Sequence, residues 1–202
     1  MKSPFDLSYQ NQNADARIVA ALERIAQAFR VLLWQEGVEH ALTPIQLQVL
    51  IFLHYHAEAQ RKITIVSQEL NVTKATLSET VKILQRKGLI RKVLDPEDSR
   101  STFIQLTAKG RQLAERASKF AAEVQKPIAQ ITEESKKAIL GALLQIIRHL
   151  NEAGVITVQR MCFTCRYYTQ PQPNKHFCQL LNTALKDEQL RIDCPEHQSA
   201  AV

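Results

Sequence analysis

The stretch of sequence that decides the fold runs from residue 73 to residue 110 and reads TKATLSETVKILQRKGLIRKVLDPEDSRSTFIQLTAKG. Its first part predicts an amphipathic helix that Thr73 caps and that Gly88 ends. The apolar residues of this helix recur at helical spacing along one face: Leu77, Val81 and Leu84. The opposite face carries Lys, Thr and Ser side chains, so this helix presents hydrogen-bond donors and positive charge to a partner.

Two short runs rich in β-forming residues follow the helix. They span residues 90–94 and 102–106, and the sequence DPEDSR between them has the composition of a turn. A polar helix followed by a basic hairpin is the make-up of a winged helix-turn-helix. In that motif the helix enters the major groove and the hairpin contacts nearby phosphates or the minor groove. The stretch therefore predicts binding to double-stranded DNA.

The hairpin also resembles a known family. The run DPEDSRSTFIQLTAKG is similar to the wing of the MarR-type transcription regulators, through Asp98, Arg100, the Leu-Thr pair at 106–107 and Gly110. The resemblance extends back through LTPIQLQVLIFL and ITIVSQELNV and covers roughly residues 15–150. It implies a homodimeric repressor or activator whose DNA affinity responds to a small molecule or to oxidation.

The predicted DNA contacts lie on the outward face of the helix and on the wing. We expect these residues to reach bases or phosphates: Thr73, Lys74, Thr76, Ser78, Lys82, Ser99 and Arg100. Thr73 is better explained as a helix cap, from which its backbone amide could also meet a phosphate. Arg100 either enters the minor groove or is clamped by Asp98 to shape the turn, and both roles are compatible. Glu79 departs from this pattern, because a neutral or basic residue would suit a position beside phosphate better.

The net charge of +6 is concentrated in the same segment. Residues 61–116 contain 12 Lys and Arg against 6 Asp and Glu, whereas the rest of the chain contains 14 of each. A localised excess of this kind is the electrostatic footprint of a nucleic-acid-binding surface. No signal-peptide pattern opens the sequence, and no apolar run approaches the roughly 18 residues of a membrane span. We therefore expect a cytoplasmic protein without a membrane partner.

Two apolar stripes flank the DNA-binding segment. They lie in predicted helices at residues 15–36 and 135–152, and both are longer than the core of a small winged domain requires. The resemblance assigns such helices to a dimer interface, and a palindromic operator requires two reading heads about one helical turn apart. We predict a homodimer whose winged-helix and dimerisation region spans residues 1–154 and begins with a polar, poorly patterned stretch at residues 1–12, which is an arm or a disordered start.

The composition changes after Gly154, and we predict a separate appendage at residues 155–202. All four cysteines lie there, with the spacing Cys162-x2-Cys165-x12-Cys178-x15-Cys194. A C-x-x-C pair brings two sulfurs to one side of a tight turn, and two further cysteines complete a four-thiolate set. Structural disulfides are rare in the cytoplasm, so the pattern predicts one metal centre.

Two kinds of centre fit this pattern. An iron–sulfur cluster takes four thiolates and tolerates one pair with two scattered cysteines, and a Cys-Pro step such as that at Cys194 occurs in ferredoxin-type runs. Structural Zn²⁺ favours two knuckles, and the second could be Cys194-Pro-Glu-His197, which would leave Cys178 spare. His176 and His197 otherwise fit supporting or surface roles better than ligand roles.

The sequence thus predicts a mainly α fold with a small β wing: a winged helix-turn-helix, a helical dimerisation region and a small metal-binding appendage. With an iron–sulfur centre, DNA binding would respond to redox state or iron. With zinc, the appendage would be structural and a small-molecule effector would regulate the protein. An electron-transfer enzyme is disfavoured because the five glycines form no nucleotide-binding motif. A zinc-dependent interaction module is disfavoured because the wing is not neutral.

Overall fold

The computed structural model describes residues 2–95, 102–156, 160–173 and 175–200. Helices dominate the described residues, and the strands are short, as predicted for a mainly α protein with a β wing. The helices are α1 (Leu7–Gln12), α2 (Ala14–His40), α3 (Pro44–Tyr55), α4 (Ile63–Glu69), α5 (Lys74–Arg86), α6 (Ala108–Ala117), α7 (Ala122–Ala129) and α8 (Glu133–Glu152). The strands are β1 (Ile90–Leu94), β2 (Thr102–Leu106), β3 (Tyr168–Gln172), β4 (Lys175–Cys178) and β5 (Thr183–Leu185).

Helix α3 lies at the centre of the main hydrophobic core. Pro44 occupies its first turn, where a missing N–H costs nothing, and the Gln46 side chain accepts a hydrogen bond from the Thr43 amide at 3.2 Å. Because the helix is apolar on most sides, other elements must cover it. The buried residues of the main core come from α2, α3, α4, α5, both wing strands and α6, and they include Leu47, Leu50, Leu53, Val66, Leu77, Val81, Leu84, Ile104 and Ala114.

Helices α4 and α5 form the helix-turn-helix. The turn between them contains Asn71 in the left-handed region, with φ of 51°, a conformation that asparagine tolerates. Thr73 then caps α5, because its hydroxyl accepts a hydrogen bond from the Thr76 amide at 3.1 Å. Gly88 ends this helix with φ of 68°, as the sequence predicted. The buried face of α5 anchors it to the core, and its polar face points outward.

Strands β1 and β2 pair antiparallel and form the base of the wing. Their register joins Ile90 to Leu106 at one end and Leu94 to Thr102 at the other. Asp95, the first residue of the predicted turn, is buried and pairs with Lys62 at 2.6 Å. This ion pair joins the base of the wing to the start of α4, so the hairpin is oriented by the helix-turn-helix itself.

Two helical segments differ from the predicted pattern. Residues 7–12, expected to be an unpatterned arm, form α1, since the Asp6 carboxylate accepts hydrogen bonds from the amides of Ser8 and Tyr9. The helix predicted over residues 108–124 is interrupted by a 3-10 turn at Ser118–Ala121 and continues as α7. Among the described helices, none combines the length and the apolar character needed to cross a bilayer.

The C-terminal appendage is a small three-stranded antiparallel sheet in the order β3-β4-β5. Its own buried residues are few, and Met161 and Leu190 share their core with Leu144 of α8. A domain this small cannot bury enough apolar surface alone, so it uses a helix of the neighbouring region. The predicted boundary between residues 154 and 155 separates two sequence compositions and remains a prediction.

Gly110 lies in the first turn of α6 and packs against the backbone of Leu89, just before the wing. A Cβ atom at this position would lie 1.9 Å from the Leu89 carbonyl oxygen, which is backbone and cannot turn away. The Thr107 hydroxyl caps the same helix, accepting from the Gly110 amide at 3.1 Å and donating to the Gly88 carbonyl at 2.7 Å. The wing is thereby held against the C-terminal end of α5.

We expect Gly110→Ala to lower the free energy of unfolding by about 1–3 kcal/mol or more, the usual cost of forcing an extra carbon into a packed site. Gly141→Ala is the matched control, because nothing lies within 4 Å of a Cβ atom there and glycine in a helix costs roughly 0.5–1 kcal/mol relative to alanine. Urea unfolding monitored by circular dichroism measures both changes. Equal stability of the two variants would contradict the packing described for Gly110.

Candidate nucleic-acid interface and cysteine centre

The outward face of α5 presents most of the residues predicted to contact DNA. Thr73, Lys74 and Thr76 are exposed at its first turn, where the helix amides point toward solvent. The Thr73 and Thr76 hydroxyls also lie 2.8 Å apart, so each can orient the other. A helix N-terminus with nearby lysine and hydroxyl groups is suited to an anion such as a phosphate.

Further along α5, the charges are partly compensated. The Glu79 carboxylate accepts a hydrogen bond from Lys82 at 3.2 Å and lies 3.8 Å from Arg86. All three side chains are exposed, so these pairs contribute little to stability. They do reduce the positive potential that Lys82 would present to a phosphate. Ser78, by contrast, is half-buried beside this cluster.

The wing contributes positive charge from its first strand. Arg91 and Lys92 are exposed on β1, and Arg91 donates to the Gln105 side chain of β2 at 3.0 Å. Ser99 and Arg100, the wing residues predicted to contact DNA, lie outside the described residues. Their roles remain predictions.

Apolar residues lie exposed on α2 and α8, the two helices predicted to form a dimer interface. Trp34 and Ile25 of α2 are 59% and 48% exposed, and Ile139 and Ile146 of α8 are 47% and 37% exposed. Only Ala16, Leu33 and Gly37 of the 27 residues of α2 are buried. Exposed apolar surface on this scale is typical of a surface that another protein covers.

The fold brings all four cysteines around one cavity of about 30 Å³ in the appendage. Cys162 and Cys165 flank a 3-10 turn, Cys178 ends β4, and Cys194 lies near the C-terminus. None of the four forms a disulfide, and all are half-buried. The cavity is also lined by Tyr167, Tyr168, Leu180, Leu181, Leu185, Arg191 and Glu196. Four thiols facing one enclosed space form a donor set for a soft metal centre.

Arg191 contacts two of these thiols. Its amide donates to Cys162 Sγ and its guanidinium donates to Cys194 Sγ, both at 3.3 Å. Burial raises the pKa of the Cys162 thiol, and the other three thiols raise it further, whereas the Arg191 amide opposes the rise. Burial likewise raises the pKa of Cys194, and the Arg191 guanidinium opposes it. A positive charge beside the sulfurs would favour their thiolate forms when a metal is bound.

Neither histidine of the appendage lines the cavity. The Nδ1 of His176 lies 2.6 Å from the Tyr168 hydroxyl and its Nε2 lies 3.1 Å from Asp187, so both ring nitrogens have protein partners. The Nε2 of His197 lies 3.0 Å from the Thr164 hydroxyl. The four cysteines are therefore a better donor set than three cysteines with His197.

The spacing of the thiols bears on the kind of metal centre. Glu36, Glu39 and His40 of α2 place their ligand atoms within 4.8 Å of one another. Among the described residues, no other set of three or more metal-binding side chains is this close. No three cysteine sulfurs meet this limit. Around one Zn²⁺ at about 2.3 Å, sulfur atoms would lie only about 3.8 Å apart.

The appendage also contacts the helix-turn-helix, through residues that sequence reasoning missed. Arg160 donates to both carboxylate oxygens of Asp193, at 2.7 and 3.1 Å, and also to the carboxylate of Glu69, the last residue of α4. His56, at the end of α3, lies 2.8 Å from Asp193. Burial raises the pKa of Glu69 and Arg160 opposes this rise. Single charged residues so far apart in sequence leave no local pattern that could reveal the network.

Comparison with known proteins finds similarity over part of the chain. The family model described as a winged helix DNA-binding domain matches residues 42–110, which span α3 to the start of α6. The uncharacterized HTH-type transcriptional regulator YdgJ of Bacillus subtilis (strain 168) is 26% identical over 103 residues. This match covers 50% of the chain and 62% of that relative, so the chain spans less than two thirds of it.

Solved structures show the same architecture. MepR of S. aureus, crystallised as a complex with DNA, is 25% identical with a TM-score of 0.58, covering 65% of this chain and 97% of that one. A MarR transcriptional regulator from Methanosarcina mazei Go1 has the same fold, with 18% identity and a TM-score of 0.57, covering 67% of this chain and 97% of that one. Residues 155–202 lie outside the match to the family model.

Proposed function

Because this chain carries the winged helix-turn-helix fold of the MarR-type transcription regulators, we propose that it is a homodimeric, DNA-binding regulator rather than an enzyme, acting in the cytoplasm. The observation that carries the proposal is the outward face of α5, which is polar and basic and is braced by α4. The winged-helix relatives reported above include a protein crystallised with DNA. In this chain, α5 would enter the major groove and the wing would contact the flanking backbone.

Three residues at the start of α5 are the proposed first contacts with DNA: Thr73, Lys74 and Thr76. Their exposure leaves them accessible, and the helix dipole favours an adjacent phosphate. Ser78 and Lys82 lie one turn further along, with Lys82 attenuated by Glu79. Ser99 and Arg100 complete the proposed set from the wing.

We expect Lys74→Gln to weaken binding to duplex DNA and to make the dependence of log K on log salt concentration shallower by about one unit, because one phosphate contact is lost. The measurement is fluorescence anisotropy over a salt series, with a duplex selected by the protein from a random library. Circular dichroism establishes that the variant remains folded.

Glu79→Gln is the matched variant of opposite sign. It releases Lys82 and Arg86 and removes a negative charge near the backbone, so binding should tighten and the salt dependence should steepen. If both variants bind DNA with the affinity and the salt dependence of the wild type, α5 is not part of the DNA-binding interface.

The proposed dimer interface is formed by the exposed apolar faces of α2 and α8. Together they expose large apolar side chains along both helices, from Ile18 to Val38 on α2 and at Ile139 and Ile146 on α8, and an apolar face of this kind commonly marks a protein–protein contact. A dimer would place two copies of α5 on one side of the molecule for the two halves of a palindromic operator.

We expect Ile25→Glu and Ile139→Glu each to convert the dimer to monomer at micromolar concentration, because each would bury an unpaired charge. Leu94→Glu is the control, since Leu94 is 67% exposed but lies on the wing. Sedimentation velocity measures the outcome. A wild-type monomer, or dimers that persist in both helix variants, would contradict the assignment.

We further propose that Cys162, Cys165, Cys178 and Cys194 hold one metal centre that modulates DNA binding. We favour an iron–sulfur cluster over Zn²⁺, because the four thiols that line the cavity are one C-x-x-C pair and two scattered cysteines, a pattern that a cluster tolerates, whereas structural zinc usually takes two knuckles. The four thiolates would hold such a cluster, and its presence would make DNA binding responsive to iron supply or to redox state. The tyrosines and leucines of the cavity would limit solvent access, and Arg191 would offset thiolate charge.

We expect anaerobically purified protein to contain iron and to absorb visible light, and Cys178→Ser to abolish most of both signals. His197→Gln is the matched control, since His197 bonds to Thr164 outside the cavity and its replacement should leave the centre intact. Elemental analysis measures the iron and zinc content, and the absorption spectrum measures the visible signal. Zinc retained in Cys178→Ser and lost in His197→Gln would establish the three-cysteine alternative, and neither metal in the wild type would defeat the proposal.

A second candidate is regulation by a small molecule, with the cysteines as a structural zinc site. It is supported by an open cavity of about 440 Å³ against α2 and α3, lined by Arg30, Val31, Leu33, Trp34, Pro44 and Gln48. This volume suits a small ligand. The two candidates differ in outcome, because a structural zinc site would leave DNA affinity indifferent to the redox state of the protein.

A further inference from the structure

We infer that Arg160 transmits the state of the cysteine centre to the helix-turn-helix by holding Glu69, the C-terminal residue of α4. This inference rests on the proposed function, because it concerns the regulation of DNA binding by the same centre. It assigns a route that bypasses the dimer helices and ends on the helix that braces α5.

The first link joins Arg160 to the segments that carry two of the cysteines. Arg160 lies two residues before Cys162, and its carbonyl oxygen accepts a hydrogen bond from the Cys194 amide at 2.9 Å. Its guanidinium forms a bidentate pair with Asp193, the residue before Cys194. A metal bound by Cys162 and Cys194 would therefore fix the two segments that position this guanidinium.

The second link joins Arg160 to the winged-helix core. Its guanidinium lies over the Phe52 ring, 5.6 Å from the centroid, and pairs with Glu69. The side chains of Arg160 and Glu69 are only 9% and 11% exposed. His56 stacks on the same ring at 3.9 Å and contacts Asp193. The guanidinium of Arg160 and the carboxylate of Glu69 are thus shielded where the appendage meets α3 and α4, whereas Asp193, at 47% exposed, lies at the edge of this charge network.

The third link joins Glu69 to the reading helix. Three residues separate Glu69 from Thr73, which caps α5. A shielded carboxylate is costly without its partner, so withdrawal of Arg160 would turn Glu69 toward water and shift the end of α4. Because α4 braces α5, that shift changes the presentation of Lys74 and Thr76 to DNA.

A competing route exists through α8. Arg148 of α8 lies over the Phe163 ring at 5.1 Å, and Lys137 pairs with Glu188 at 3.1 Å, so the appendage also contacts the helix proposed for dimerisation. Arg148 and Arg160 are matched: each is an arginine over an aromatic ring, and each lies between the appendage and the rest of the chain. Substitution of each in turn separates the two routes.

The experiment measures the ratio of DNA dissociation constants between metal-loaded and chelator-stripped full-length protein, in wild type, Arg160→Met, Arg148→Met and Glu69→Gln. The wild-type ratio should differ from one by a factor of about 5–150, the usual range of coupling between sites. Arg160→Met and Glu69→Gln should bring the ratio close to one while Glu69→Gln keeps the metal content of the wild type. Arg148→Met should keep the wild-type ratio.

The outcomes separate the inference from the proposed function. A wild-type ratio of one overturns both the route and the regulatory role of the centre. If Arg160→Met and Glu69→Gln keep the wild-type ratio, the route through Arg160 is overturned and the regulatory role of the centre stands. If Arg148→Met brings the ratio to one, the coupling runs through α8. If Arg160→Met loses the metal, the result for Glu69→Gln decides, because Glu69 lies away from the segments that carry the cysteines. A ratio near one in Glu69→Gln would support the route, and the wild-type ratio in that variant would overturn it.

Discussion

The burial of α3 is the constraint on which the rest of the molecule depends. Because Leu47, Leu50 and Leu53 are fully buried, neighbouring elements must surround this helix, and they do so by presenting the apolar faces of α2, α5, α6 and β2. The polar face of α5 is directed outward as a consequence of this packing. The C-terminal end of α3 then provides Phe52 and His56, against which Arg160 and Asp193 of the appendage pack.

The proposed regulation depends on the electrostatics of this docking. Breaking a buried ion pair by removal of one partner typically costs about 3–5 kcal/mol, whereas coupling between two sites usually requires about 1–3 kcal/mol. Arg160 and Glu69 form a pair of this kind, because their side chains are only 9% and 11% exposed, so the loss of either partner is costly. The exposed pairs on α5 are different, because solvent screens them and all three partners lie on one helix, so they connect no distant parts of the fold.

Much of the winged helix could be predicted from local chemistry. Thr73 and Gly88 marked the ends of α5, the β-forming runs gave the bounds of β1 and β2, and the cysteine spacing predicted the set that the fold gathers around one cavity. Long-range ion pairs could not be predicted in this way. Arg160 lies 91 residues from Glu69, and Asp95 resembles an ordinary turn residue until the fold places it beside Lys62. Such pairings depend on tertiary structure and leave no periodic signal.

Thermodynamic reciprocity gives the most direct test of the central claim, that the cysteine centre and the DNA-binding surface are coupled. If metal loading changes DNA affinity by some factor, bound DNA must change the metal affinity of the centre by the same factor. Chelator competition on the full-length protein, with and without saturating duplex DNA, measures this quantity. We expect saturating DNA to change the metal dissociation constant by the same factor by which metal loading changes the DNA dissociation constant. An identical metal affinity in the presence and absence of DNA would contradict it.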